Sequence, residues 1–200
     1  MKTTVLDTLK NRRTIYALGK NVTASQEDIA NLVKSIVREA PTAFNGQTTR
    51  AIVLFGDKHD ELWDIVVKRL KSEVPTEEAY AATQAKIASF KAGFGTILYF
   101  TDEAVVRNEE EQFALYADNF ADWAEQAQGN VQLSVWTALA ENELGASLQH
   151  YNPLVDELVQ EAFAVPANWR LRAQMPFGSI EAPANEKEYM ADEERFRVLK

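Results

Sequence analysis

Two short apolar runs constrain the fold of this chain most. Ala51-Ile-Val-Leu-Phe55 and Thr96-Ile-Leu-Tyr-Phe-Thr101 are too short for buried helices and rich in β-branched and aromatic residues, so each is expected to be a buried strand. A third run alternates. Trp169, Leu171, Ala173 and Met175 fall on one side and Arg170, Arg172 and Gln174 on the other, which predicts a half-buried strand over 169–175. Ala146 to Tyr151 is expected to form one more short strand, and Ala17 to Asn21 reads as irregular.

Between these runs the period changes to that of helices. Val5, Leu6 and Leu9 mark a short amphipathic helix that ends at Lys10-Asn11-Arg12-Arg13-Thr14. Ser25 is a good N-cap, with Asp28 three residues on, and Ile29, Leu32, Val33, Ile36 and Val37 then repeat on one helical face. Leu62, Ile65, Val66 and Leu70 give another helix, and Pro75 is expected to open a further one that runs to about Lys91. Phe113 to Trp123 reads as an aromatic-rich helix, with Glu109-Glu110-Glu111 as its solvated start. Val131, Val135 and Leu139 line the central helix of the fold, which Gly145 is expected to end. Asn152-Pro153 begins a helix that carries Leu154, Leu158 and Val159. Helices and strands mix without strict alternation, so the class is α+β, a small sheet wrapped by helices.

Two hundred residues suit one domain with an arm, here 1–183 and a polar arm over 184–200. The absence of cysteine excludes disulfides, thiolate metal sites and cysteine nucleophiles, and His59 and His150 are too few and too far apart for a typical zinc site, so no metal is expected. With 21 basic and 30 acidic residues the net charge is -9, which argues against nucleic acid and against an anionic membrane surface. No signal-like start and no run of membrane-spanning length is seen, so the chain reads as soluble and cytoplasmic. There is also no Gly-rich phosphate loop after a strand.

Chemistry has few places to sit. Thr42, Asn45, Gln47, Thr48 and Thr49, between helix and strand, offer neutral amides and hydroxyls, the partners that suit a flat heteroaromatic ligand with alternating C=O and N–H edges. The plainer reading of that stretch is a helix end and a turn, with Pro41 and Gly46 as punctuation. Arg12-Arg13-Thr14 joins two guanidiniums and a hydroxyl, a phosphate-binding set or else a complement to a helix C-terminus. Arg195 and Arg197 alternate in an extended tail and can share a face. Gly145 to Pro153 is dense in polar and aromatic groups, but His150 has no evident carboxylate partner. Phe113, Tyr116, Phe120 and Trp123 read as core or subunit packing, or as a lining for an aromatic substrate.

Taken together, these segments resemble the FMN-dependent nitroreductase family, and within it a short branch found in bacteria and yeast. The residues that carry the resemblance are Arg12-Arg13-Thr14, Pro41 to Gln47, Gly93 to Leu98, Gly145 to Pro153, Ala173 to Gly178 and Glu194 to Val198, in the family's order; LQHYNP at 148–153 with AQMPFG at 173–178 is the most specific pair. The resemblance implies a mixed sheet flanked by helices in an intertwined homodimer, with FMN at the interface. It implies that Arg12, Arg195 and Arg197 hold the FMN phosphate, supported by Arg13 and Thr14. Asn45 and Gln47 would bond the ring or ribityl edge, with Thr42 nearby, and the backbone around Gln149, His150, Tyr151 and Asn152 would face the ring. The implied reaction is ping-pong, from NADH or NADPH to a nitroaromatic or quinone-type acceptor, with no side chain assigned as a catalytic acid or base. This chain departs from the broader family at Thr14 and Tyr16, where a serine and a basic residue are common, and at Thr48-Thr49, where many relatives have Pro-Trp. A flavin-binding stress or regulatory protein with little turnover is the alternative, and a cofactor-free helical interaction protein a third class.

Overall fold

The structure, a computed structural model, describes residues 2–200. At its centre lies β3 (Gly95–Asp102), every residue of which is buried. It pairs antiparallel with β2 (Thr49–Phe55) on one side and with β5 (Trp169–Ile180) on the other. The two-residue strands β1 (Leu18–Gly19) and β4 (Gly145–Ala146) both pair with β5, and the sheet order is β1-β5-β3-β2, so β2 is an edge.

Helices cover both faces. On one face α2 (Gln26–Glu39) and α6 (Phe120–Glu141) pack Ile29, Val33, Val131, Val135 and Leu139 against Ile97 and Tyr99. On the other, α3 (Gly56–Leu70), α4 (Glu77–Lys91) and α7 (Asp156–Ala162) pack Leu62, Trp63, Phe90 and Val159 against Leu98 and Phe100. Successive residues of β3 thus feed opposite cores, as a period of two requires. Each large side chain so buried contributes roughly 1.5–3 kcal/mol. The remaining helices are α1 (Thr4–Asn11), α5 (Glu103–Gln112) and the short α8 (Asp192–Arg195) in the tail. The architecture is α+β, as the pattern predicts.

Several elements differ from expectation, each for a physical reason. The third strand runs to Ile180 and is buried on both faces from Ala173 to Gly178. The register slips between Tyr99 and Phe100, where Leu171 pairs with Phe100 and Ala173 with Tyr99, so Arg172 is the extra residue of a β-bulge. The bulge breaks the period. Trp169 and Leu171 serve one core, whereas Ala173, Met175 and Phe177 serve the other. Gln128 of α6 donates to the Phe100 carbonyl at 2.8 Å beside this slip.

Glu109-Glu110-Glu111 ends α5 rather than starting the next helix. Asp102 caps α5 by accepting from the Ala104 and Val105 amides. Phe113 caps its C-terminus, Ala114–Asn119 is a 3-10 segment, and α6 then runs unbroken for 22 residues. Helix α6 ends at Glu141, and the left-handed residue beyond it is Glu143 (φ 59°), not Gly145. Gly145 is instead required by space, since a Cβ there would sit 2.9 Å from Ile15 Cγ2.

Beyond β4 the chain makes only a single bridge, Gln149 to Gln174, so no strand extends to Tyr151. Residues 152–155 form a turn after a cis Asn152–Pro153 bond, and α7 starts at Asp156. Thr76, not Pro75, caps α4. Leu18–Gly19, read as irregular, is a strand because Gly178 and Ser179 of β5 lie beside it.

Candidate functional site

Helix α1 ends at Asn11 and delivers Arg12, Arg13 and Thr14 onto the sheet margin, where Thr14 bridges to Ala146 and the Ile15 amide donates to the Ala146 carbonyl at 2.9 Å. The two arginines and Thr14 line a cavity of about 480 Å³ together with residues 182–187, Glu186 and Lys187 among them. Arg13 donates to the Asn185 carbonyl. The Arg12 guanidinium lies 4.3 Å over the Trp136 ring of α6. Burial, and then the charge of Arg13, lower the Arg12 pKa below the usual guanidinium value. Among the described residues, neither arginine is paired with a carboxylate. Two adjacent cations without an acidic partner, in a chain of net charge -9, form a site that an anion relieves.

The amide-rich stretch is a tight loop with an unusual backbone. Ala43–Asn45 is a 3-10 turn, and Phe44, Asn45 and Gln47 all have positive φ, at 49°, 55° and 52°. The Thr42 hydroxyl accepts from the Gln47 amide at 2.9 Å, and Arg50 donates to the Gln47 carbonyl at 2.5 Å. Arg50 also donates to Asp102 at 2.9 Å, so the loop is tied through Arg50 to the cap of α5. Thr48 and Thr49 follow, buried, with hydroxyl oxygens that find no partner.

Gln149 to Asn152 form the third group. The Gln149 and Gln174 backbones exchange hydrogen bonds of 2.7 and 2.9 Å, and the Gln174 side-chain oxygen accepts from the Tyr151 amide at 2.8 Å. Gln174 is 0% exposed, and its Nε2 has no partner. The Gln149 side chain donates to Ser147, and His150 is exposed. Burial pushes the Tyr151 hydroxyl up to about 12, so it stays protonated across the neutral range. The alternation with Arg170 and Arg172 makes Gln174 look solvent-facing; it is buried because both faces of β5 are covered from Ala173 onward, and the bulge at Arg172 sets which face it takes. The Asp102–Arg50–Gln47 link had one sequence signal, an Asp ahead of the helical run 103–112.

One chain does not bring all these groups together. Thr42 and Ala43 line a cavity with Trp123, Gln126, Ala127 and Asn130 of α6, whereas Arg12 meets α6 at Trp136. At 100° and 1.5 Å per residue, Trp136 lies about 80–180° round the helix from those four residues, about 130° from their mean direction, and roughly 9–20 Å further along. The arginine pair and the amide loop thus contact different faces and different turns of α6. Arg195 ends α8 and Arg197 lies in the extended chain beyond it, both exposed, and neither lines the cavity of Arg12. The tail is therefore not extended throughout, as its alternation suggested.

With its sheet enclosed by helices, an arginine pair and a neutral amide loop, the chain belongs to a class of oxidoreductases, the Nitroreductase family, whose signature matches residues 9–179. Two Saccharomyces cerevisiae proteins are similar over almost their whole length: HBN1, 36% identical over 193 residues and covering 95% of each chain, and the nitroreductase FRM2, 34% identical over 187 residues and covering 92% of each. The structure of nitroreductase CinD from Lactococcus lactis in complex with nicotinic acid is 55% identical, superimposes with a TM-score of 0.91 and covers 98% of this chain and 100% of its own.

Proposed function

We propose that this protein is an FMN-dependent reductase that takes electrons from NADH or NADPH and passes them to nitroaromatic or quinone-type acceptors by a ping-pong mechanism, in the cytoplasm. The observation that carries the reading is the Arg12–Arg13–Thr14 cavity, two guanidiniums and a hydroxyl with no carboxylate paired to them among the described residues. Its donor set fits a phosphate. The Thr42–Gln47 loop fits the edge of a flat ring that offers both donors and acceptors. Support also comes from CinD, whose structures hold nicotinic acid, chloramphenicol and 4-nitrophenol, all small aromatic molecules. Bound there, FMN supplies the hydride-accepting and electron-donating centre.

The chain's residues then have distinct work. Arg12 and Arg13 hold the phosphate and Thr14 adds a hydroxyl bond. Asn45 and Gln47 orient the ring edge. Gln174 fixes the Tyr151 amide and the Gln149 backbone, and so shapes the wall from Gln149 to Asn152. Among the described residues no group of carboxylates and imidazoles gathers at these segments, and no side chain is assigned a proton-transfer role.

The site is proposed to need two copies of the chain. The loop and the arginine pair meet α6 on different faces and several turns apart, and a flavin that meets both is proposed to take them from different subunits. The arm over 184–200 is exposed almost throughout and carries Tyr189, Met190, Phe196, Val198 and Leu199. A cavity of about 650 Å³ lies between α2 and the edge strand β2, with apolar lining (Val33, Val37, Ala51, Val53), the cations Lys34, Arg38 and Arg50, and Thr42 and Gln47 of the loop at its edge. It is proposed to receive the outer part of the arm of the second copy, whose Glu188 and Asp192–Glu194 match those cations in sign. Arg195 and Arg197 would then join the phosphate site.

The test is the absorption spectrum of purified protein. It should be yellow, release near-stoichiometric FMN on denaturation, and bleach without oxygen when NADH or NADPH is added. Apo protein that takes up no FMN in titration would overturn the proposal.

A further inference from the structure

Phe44 is a poor choice for the conformation it adopts. At φ 49° a bulky side chain is an outlier, and left-handed backbone is strained at such a residue. Asn45 tolerates this region, Gln47 less so. The glycine of the loop does not relieve the strain, because Gly46 has an ordinary right-handed backbone (φ -66°). It is needed for space: a Cβ on Gly46 would lie 1.9 Å from Oε1 of the nearly buried Glu109. The loop thus has three left-handed residues, none of them glycine.

What opposes the strain is the Phe44 ring. It is 52% exposed, yet it meets four aromatic rings: Phe113 at 4.5 Å between centroids, Phe120 at 5.6 Å, Tyr116 at 5.8 Å and Trp123 at 6.0 Å. Those rings come from the end of α5, the 3-10 segment and the first turn of α6. Phe120 is fully buried in its own small core with Val106 and Ala124, so the grip stands on a fixed base. Aromatic pairs contribute beyond simple burial because edge and face carry opposite charge. The Thr42 hydroxyl and Arg50 act on Gln47, the Asn45 amide donates to the Thr42 carbonyl at 3.1 Å and its carbonyl accepts from the Gln47 side chain at 3.4 Å, and none of these bonds is made by Phe44.

We infer that Phe44 is a positioning residue: gripped by Phe113, Phe120, Tyr116 and Trp123, its ring holds the Thr42–Gln47 loop in a strained left-handed form that presents Asn45 and Gln47 to the flavin. The inference rests on the flavin reading above. It goes further in assigning the loop's shape to an aromatic clamp rather than to its turn residues.

The experiment compares wild type, Phe44→Tyr and Phe44→Gly. Glycine removes the ring and the backbone strain together, so the thermal midpoint should shift little. FMN and riboflavin affinities should both fall about tenfold or more, by the same factor, because the loop does not touch the phosphate. Phe44→Tyr keeps an aromatic ring and should retain both affinities. Without flavin, the Gly46 and Gln47 amides should exchange hydrogen at least tenfold faster in Phe44→Gly than in Phe44→Tyr. Unchanged flavin affinity in folded Phe44→Gly, or unchanged exchange at those amides, overturns the clamp and leaves the flavin reading standing. Wild type that binds no flavin overturns both. Should Phe44→Gly fail to fold, Phe44→Leu takes its place, and protection of the two amides equal to wild type refutes the inference.

Discussion

Asp102 gives the sharpest test of how the scaffold reaches the loop. Its carboxylate makes four contacts: the Ala104 amide at 3.1 Å, the Val105 amide at 3.4 Å, Asn168 Nδ2 at 2.6 Å and Arg50 Nη2 at 2.9 Å. Replacement by alanine removes a helix cap worth about 1 kcal/mol. It also removes two bonds to a charged acceptor, each about 1–1.5 kcal/mol once the 30% exposure of the Arg50 side chain is allowed for. Asp102→Ala should therefore cost about 3–4 kcal/mol in urea unfolding. Asp102→Asn keeps an oxygen for the α5 amides and for Asn168 but loses the charge facing Arg50, so about 1–1.5 kcal/mol is expected. Arg50 also holds the Gln47 carbonyl, so Asp102→Asn should weaken flavin binding several-fold although residue 102 lies outside the loop. A double-mutant cycle of Asp102→Asn with Arg50→Met should return about 1 kcal/mol of coupling. Zero coupling, or equal losses for Asn and Ala, would refute the idea that the ion pair links cap and loop.

Three further outcomes are expected. Arg12→Ala should weaken FMN about tenfold or more, following the roughly 1.5–3 kcal/mol of a hydrogen bond to a charged group, while riboflavin, already weak, changes little; equal losses for both would remove Arg12 from the phosphate. Truncation after Pro183 should lower the mass in light scattering and the flavin absorbance of the same peak together, and a stable dimer with normal FMN would exclude the arm. His59 is buried and held neutral, accepting at Nδ1 from the Thr96 hydroxyl (2.8 Å) and donating from Nε2 to the Lys91 carbonyl (3.1 Å), and burial lowers its pKa. The unfolded chain then binds the proton more readily, so His59's contribution to stability is complete above about pH 6.5 and is lost as pH falls below it. In His59→Gln the urea midpoint should fall less between pH 7 and 5 than in wild type, and parallel curves would count against the assignment.

Much of this architecture is legible in the residues. The two apolar runs are strands, and the faces of α2, α3 and α6 follow their periodicity, because burial of one face dominates local choice. What stayed hidden depends on a single non-local event. The bulge at Arg172 reverses the inward side of β5, so alternation read as one face serves two, and Gln174 passes for a surface residue. Helix α5 was missed because its apolar face is short (Val106 is its buried aliphatic), though Asp102 marked its start. The composition of the amide loop was plain, but its left-handed backbone was not, since it is held by rings some seventy residues away. The arginine pair was legible as a pair. That α6 separates it from the loop follows only from which turn of that helix each one touches.

The placement of those two groups on different faces and turns of α6 has a genetic consequence. If each flavin takes its arginines from one chain and its amide loop from the other, lesions in the two groups complement each other. A chain carrying Arg12→Ala and a chain carrying Asn45→Ala are each defective as homodimers. Expressed together they form mixed dimers in which both lesions fall on one site and the other is assembled wholly from intact parts. Random pairing makes half of all dimers mixed, each with one sound site of two, so a quarter of the sites regain wild-type affinity. Inheritance of a damaged allele would then be judged by its partner, and two poor copies in one cell can outperform two identical ones.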